Sequence, residues 1–249
     1  MLIFPAIDLY EGRAVRLLKG DYAKKTVYSD DPVSVAADFK AKGASCVHVV
    51  DLEGAKTGET PNFELVGRIK AETGLFTEVG GGIRNLAVTE RYLNAGIDRV
   101  ILGTAAVEDP EFLEAAVQLY GERIAVGIDI RDGCVAVKGW TENSGLPAMD
   151  FARRLERLGV RTVICTDISK DGAMKGTNRR LYRELSRKVD LNIIASGGVS
   201  SIGDVKALAA MDLYGAIIGK AYYTGSIDLA EAVRIAEGGP EASAEGGMK

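Results

Sequence analysis

The sequence predicts an α/β protein, a closed (β/α)8 barrel assembled from two repeated half-barrels. Three observations carry this expectation. The chain has 249 residues, close to the roughly 250 typical of the fold. Short apolar, β-branched runs alternate with helical stretches along its length. The two halves also echo each other at one offset of 116 residues, the separation of Asp51 from Asp167, Gly81 from Gly197 and Gly103 from Gly219. A doubly wound open sheet is the competing architecture. It usually has fewer strands and wants a G-x-G-x-x-G after its first strand, which is absent.

The predicted strands are Leu2–Leu9, Cys46–Asp51, Phe76–Val79, Arg99–Gly103, Ile124–Asp129, Thr162–Thr166, Asn192–Ser196 and Gly215–Gly219. Most are near-continuous apolar runs, as parallel strands buried on both faces require. Asp31-Pro32 and Asp109-Pro110 each place an N-cap before a proline at the first helical position. Gly43, Gly74, Gly96, Gly121 and Gly159 stand where helices should end. One barrel domain over residues 1–237 follows, with Gly238–Lys249, rich in Gly, Ala, Ser and Glu, expected to be a disordered tail.

Composition narrows the function. The net charge is only −4, so nothing draws the chain generally to nucleic acid or an anionic membrane. Any anionic ligand must be held by local features. No apolar run reaches the ~18 residues of a membrane span. The apolar start MLIFPAIDLY lacks a basic flank and meets Asp8 early, so a cytoplasmic protein is expected. Cys46, Cys134 and Cys165 are scattered, with no C-x-x-C, and read as reduced thiols. One histidine, His48, and no cysteine cluster give no zinc motif, so none of the usual His/Cys zinc sites is expected.

Active sites of this fold lie at the C-terminal ends of the strands. Asp8 closes predicted strand 1 and Asp129 closes strand 5, which face each other across an eight-membered ring. Opposed carboxylates there suit paired acid and base roles; the alternative is that each only caps a loop. Asp51, after strand 2, reads as a loop-structuring residue. Two glycine-rich places read as phosphate sites. Gly80-Gly81-Gly82-Ile83-Arg84 with Gly103-Thr104 follows strands 3 and 4, and Ser196-Gly197-Gly198 with Gly219-Lys220 follows strands 7 and 8. Glycine lets backbone N–H groups approach an anion, and a following helix N-terminus adds a favourable dipole. Two such sites imply a long substrate with a phosphate at each end. Arg16 and Lys19, in RAVRLLKG, read either as a basic loop that closes over a ligand or as a solvated basic loop. Trp140, in GWTENSG, is placed to stack on a substrate ring or to pack locally.

The segments PAIDLYEGRAVRL, HVVDLEGA, VGGGIR, VILGTAAV, GIDIRDG with KGW, TDISKDGAMKGTN, IASGGVSS and AIIGKA resemble the phosphoribosylformimino-5-aminoimidazole carboxamide ribotide isomerase family of histidine biosynthesis, from about Leu2 to about Ala236. The resemblance implies an aldose–ketose isomerase that performs an Amadori rearrangement without metal or redox cofactor. It implies a bisphosphorylated small-molecule substrate, and a monomer is expected. By family match Asp8 is the base and Asp129 the acid, and Thr166 orients the opened intermediate. Asp171 either shares the acid role or, with Gly176 in the same segment, holds substrate. The related cyclase is expected to carry Cys before its first catalytic Asp and a Lys further along, where this chain has Ile7 and Arg16. A dual-substrate relative that also accepts phosphoribosylanthranilate is expected to carry an arginine near the tryptophan. Lys138-Gly139-Trp140 has none.

Overall fold

The computed structural model describes residues 1–18 and 21–238. Lys19 and the expected tail beyond Gly238 lie outside them. Eight parallel strands close on themselves: β1 (Leu2–Tyr10), β4 (Cys46–Asp51), β5 (Phe76–Gly80), β6 (Arg99–Leu102), β7 (Ile124–Arg131), β10 (Thr162–Asp167), β11 (Asn192–Ser196) and β12 (Gly215–Ile218). Pairing of β7 with β10 and of β12 with β1 completes the ring. All eight predicted strands are present, several shifted by a residue or two at their ends.

Helices α1 (Pro32–Ala41), α2 (Leu52–Thr57), α3 (Phe63–Thr73), α4 (Leu86–Asn94), α5 (Thr104–Glu108), α6 (Pro110–Tyr120), α7 (Ala148–Leu158), α8 (Arg179–Lys188), α9 (Ile202–Ala209), α10 (Lys220–Tyr223) and α11 (Leu229–Ala236) connect the strands. Asp31 caps α1 by accepting from the Val33 and Ser34 N–H groups, and Asp109 caps α6 by accepting from Phe112 N–H. Gly74 and Gly159 end α3 and α7 in the left-handed region. Gly121 differs: its ψ is −123°, and it leads into a short 3-10 turn.

Two cores result. One lies between strands and helices and takes the outward strand residues, among them Ile7, Val49, Val79, Val100 and Val126. The other fills the barrel with Phe4, Ala6, Cys46, Ile101, Ala125, Ile164, Ile194 and Ile217. Burial on both faces is why the strands read as unbroken apolar runs. Cys46 and Cys165 are buried free thiols, as expected, and Cys134 is half-buried and free.

The structure corrects one expectation. Asp8 and Asp129 do not end their strands. Each strand runs on into an antiparallel hairpin above the barrel: β1 into β2 (Arg13–Leu18) and β3 (Asp21–Ser29), and β7 into β8 (Cys134–Val137) and β9 (Glu142–Pro147). Arg16 therefore sits on a strand, not in a loop. The turns are Glu11-Gly12 and Asp132-Gly133, both residues of each at positive φ, the two-residue geometry that matches strand twist.

Candidate active site

A cleft of about 240 Å³ opens at the C-terminal ends of the barrel strands. Into it the fold brings Asp8, Arg16, Gly82, Arg84, Gly103, Thr104, Asp129, Trp140, Thr166, Asp171 and Ser196. A side recess between the β10, β11 and β12 loops adds Gly197, Gly198, Gly219 and Lys220, and shares Arg16, Asp171 and Ser196 with the cleft. Of the residues selected as site residues, and among those described, only Gly176 lines neither. It stands behind the recess, its N–H donating to Ser200 Oγ at 3.2 Å. A wider hollow of about 800 Å³, lined by Met1, Arg187, Asp190 and Tyr214, lies at the opposite end of the barrel. That end of the fold carries stability rather than chemistry.

The two halves build matching ends. Asp51 accepts from Gly54 N–H and from Asn62 Nδ2 at 2.9 Å, and Asp167 accepts from Ser169 N–H and from Asn178 Nδ2 at 2.6 Å. Each aspartate thus ties down the loop beside one glycine-rich turn. Gly81 and Gly82 have φ of 108° and 76°, and Gly197 and Gly198 have 90° and 82°. A β-carbon at Gly82 would strike the Gly54 carbonyl, and one at Gly198 the Gly176 carbonyl at 2.5 Å. These glycines are therefore required by packing before any ligand arrives. Gly103 and Gly219 are different. They share one backbone geometry, φ/ψ of −99°/−108° and −105°/−104°, at the N-termini of α5 and α10. A β-carbon at Gly103 would meet no neighbouring atom, so the space before it is open. Thr104 Oγ1 accepts from Lys138 N–H at 2.8 Å, and Lys220 Nζ donates to the Gly172 carbonyl at 3.1 Å. Arg84 donates to the Ala55 carbonyl at 3.3 Å.

Three carboxylates meet in the cleft. Arg16 lies 2.8 Å from Asp8. The Asp129 carboxyl is pushed up by burial, against hydrogen bonds from Trp140 and Thr166 and the nearby His48, which favour its charged form. Burial pushes Asp171 up to about 6; Arg16 opposes the shift and the charges of Asp8 and Asp129 add to it. Trp140, half-buried at φ 71°, is thus an Asp129 partner as well as a cleft wall. Among the described residues no group of three or more His, Cys, Asp or Glu could hold a metal ion, and no helix is long and apolar enough to cross a membrane.

Sequence reasoning missed Tyr22, which lines the cleft and donates to the Leu52 carbonyl at 2.8 Å, and Tyr223, which donates to the Ala6 carbonyl at 2.9 Å. It weighed His48 only in excluding a zinc site, although His48 lines the cleft. All three stand within strands or helices, so only the three-dimensional structure finds them.

A family model described as histidine biosynthesis protein matches residues 2–228. The chain belongs to that family. Its relatives include an enzyme of Lactococcus lactis subsp. lactis (strain IL1403), 53% identical over 236 residues, which are 94% of this chain and 99% of that protein. A Listeria monocytogenes serotype 4a protein is 49% identical over 235 residues, 94% of this chain and 98% of its own. A Clostridium botulinum (strain Hall) protein is 47% identical over 235 residues, 94% and 97% of the two chains. All three are named as a 1-(5-phosphoribosyl)-5-((5-phosphoribosylamino)methylideneamino)imidazole-4-carboxamide isomerase. The family and fold expected from the motifs are borne out.

Proposed function

We propose that this chain is the aldose–ketose isomerase of histidine biosynthesis. It converts the N-linked phosphoribosyl group of an imidazole carboxamide ribonucleotide into its phosphoribulosyl form by an Amadori rearrangement. One observation carries the reading: three carboxylates converge in a single cleft whose two ends are built alike from glycine turns and helix N-termini. The relatives' name specifies two phosphoribosyl groups, which fits a phosphate at each end.

The chemistry follows from that placement. Asp129 protonates the furanose ring oxygen, the bond from C1 to that oxygen breaks, and nitrogen's lone pair forms the iminium. Asp8 removes the proton from C2, and the electrons of that bond form the C1–C2 double bond of an enolamine. Protonation at C1 and loss of the hydroxyl proton leave a ketone at C2. Burial favours the protonated form of both Asp129 and Asp171, which suits an acid and lets Asp171 share the role. Thr166, hydrogen-bonded to Asp129, orients the opened intermediate. Gly82, Arg84, Gly103 and Thr104 hold one phosphate, and Ser196, Gly197, Gly198, Gly219 and Lys220 the other. Arg16, Trp140 and Gly176 complete the substrate surround. The reading takes the described barrel as one domain, a monomer in the cytoplasm, working without cofactor.

The test is to incubate the purified protein with the histidine-pathway aminoaldose and, in parallel, with phosphoribosylanthranilate, with and without a chelator. Turnover of the first alone, unchanged by chelation, is the expected result. Turnover of neither overturns the reading.

A further inference from the structure

A polar row crosses the barrel interior, and the mechanism above does not use it. His48, Glu78 and Arg99 lie in register on β4, β5 and β6, His48 opposite Glu78 and Glu78 opposite Arg99. His48 Nδ1 is 2.7 Å from Glu78 Oε1, and Arg99 donates to Glu78 Oε2 at 3.2 Å. Arg99 also reaches the Tyr214 hydroxyl at 3.4 Å and lies over the Phe76 and Tyr214 rings. Glu78 is fully buried, and the side chains of His48 and Arg99 are 10% and 7% exposed. Of the three only His48 lines the cleft. Its Nε2 has no hydrogen-bond partner among the described residues, and unlike Arg99 Nε it is not sealed inside the protein.

The other half-barrel does without this row. At the 116-residue offset His48, Glu78 and Arg99 correspond to Ile164, Ile194 and Gly215. Those three stand opposite one another in the same register, and Ile164 also lines the cleft. The same interior positions are thus filled by apolar residues when nothing else is asked of them. Burying ion pairs is costly, and apolar replacements are often neutral or stabilising. The fold alone therefore does not call for the charge in the first half, and that charge ends in the ligand cleft.

We propose that Glu78, braced by Arg99, is a positioning residue that fixes the His48 ring so that Nε2 meets the substrate as a hydrogen-bond acceptor. This rests on the isomerase reading and deepens it. A carboxylate has no proton to give, so Nδ1 donates to Glu78 and carries the proton of the neutral ring. Nε2 is then an acceptor, suited to a hydroxyl of the bound substrate. Arg99 holds the second carboxylate oxygen, which keeps Glu78 turned toward the ring. The proposed substrate has a phosphoribosyl group at each end, and the two ends of the cleft are built alike. His48 gives one side of that cleft a polar contact where Ile164 gives the other none, so the substrate binds in one direction only.

The chain has a single histidine, so labelling histidine with nitrogen-15 leaves only the His48 ring to observe. NMR spectra of the full-length protein are recorded at mildly alkaline pH, where an ordinary imidazole is neutral. They are taken free and then saturated with aminoaldose at its equilibrium with product. The free ring should carry its proton on Nδ1, and the Nε2 signal should move on saturation. In Glu78→Gln the amide can donate to Nδ1, so the proton should pass to Nε2 and kcat/KM should fall by about 10- to 100-fold. A wild-type ring protonated on Nε2 overturns the proposal, as does an Nε2 signal that saturation leaves unmoved. Both readings need no variant, so they decide the matter even if Glu78→Gln does not fold. A folded Glu78→Gln with unchanged kcat/KM also overturns it. So does a fall in kcat/KM with the proton still on Nδ1, because lost packing alone would produce that. A wild type that turns over no aminoaldose instead overturns the isomerase reading, and the free-ring spectrum, taken without substrate, keeps the two failures apart.

Discussion

Arg16 Nη1 stands 2.8 Å from Asp8 Oδ1, and the same guanidinium fills the space in front of Gly219. The hairpin register that sets Asp8 opposite Val15 brings the arginine there. One cation thus touches both the proposed base and the recess proposed for a phosphate. A phosphate entering that recess meets a planar donor matched to it.

Asp8→Asn is near-isosteric but cannot accept the C2 proton. kcat should fall by about 10²–10⁴-fold while substrate still binds and the protein still folds. Initial rates, equilibrium binding and a thermal melt check this together. Near-normal kcat removes Asp8 from the base role.

Asp129→Asn should also lower kcat steeply on the cyclic substrate. A substrate already opened to its acyclic form should be less affected, because the acid is needed for ring opening. Single-turnover rates on the two forms decide the point; equal losses on both count against Asp129 as the ring-opening acid.

Asp171 carries a stability signature. Its carboxyl titrates near 6 in the folded chain against an ordinary value of 3.8. Between those values the native state holds a proton that the unfolded state has released. Unfolding then releases protons, and the group's contribution to stability falls as pH rises through that window. The loss is complete above about pH 6 and amounts to up to about 3 kcal/mol. Asp171→Asn should flatten the stability–pH curve between about pH 4 and 6, and should lower kcat if Asp171 shares the acid role. Chemical denaturation at a series of pH values, wild type against variant, measures the slope; identical slopes contradict the assignment.

The glycines divide into two kinds. Gly103→Ala finds open space, so it should keep its melting temperature while KM rises and kcat falls, because holding the phosphate places the ribose for reaction. Gly219→Ala displaces Arg16 and should act on the other end of the substrate. Gly82→Ala and Gly198→Ala should destabilise the chain with no ligand present, since each puts a β-carbon against a carbonyl at positive φ. Paired melts and kinetics separate the classes.

What was legible in the sequence follows from burial. Val47, Val49, Val163 and Ile193 are buried strand residues, and such runs stand out against polar loops. The duplicated Asp51 and Asp167 are legible because each binds an asparagine eleven residues further on. The hairpins were harder to see. Arg13–Leu18 mixes basic and apolar residues and looks like a loop, although Glu11-Gly12 and Asp132-Gly133 are tight-turn pairs that mark strand reversal. His48, Glu78 and Arg99 could not be connected from sequence. They are separated by 30 and 21 residues, and only closure of the barrel puts them in register. The raised carboxyl of Asp171 likewise depends on the loop that buries it.

The most direct test of the isomerase reading follows the carbon atoms themselves. Aminoaldose labelled with carbon-13 at C1 and C2 of the reacting ribose is incubated with the wild type and with Asp8→Asn, and NMR spectra are recorded over time. The wild type should convert the C2 signal to a ketone carbon and the C1 signal to a methylene, while both signals stay unchanged with Asp8→Asn. Labelled carbons that stay unchanged with a folded, substrate-binding wild type would contradict the account.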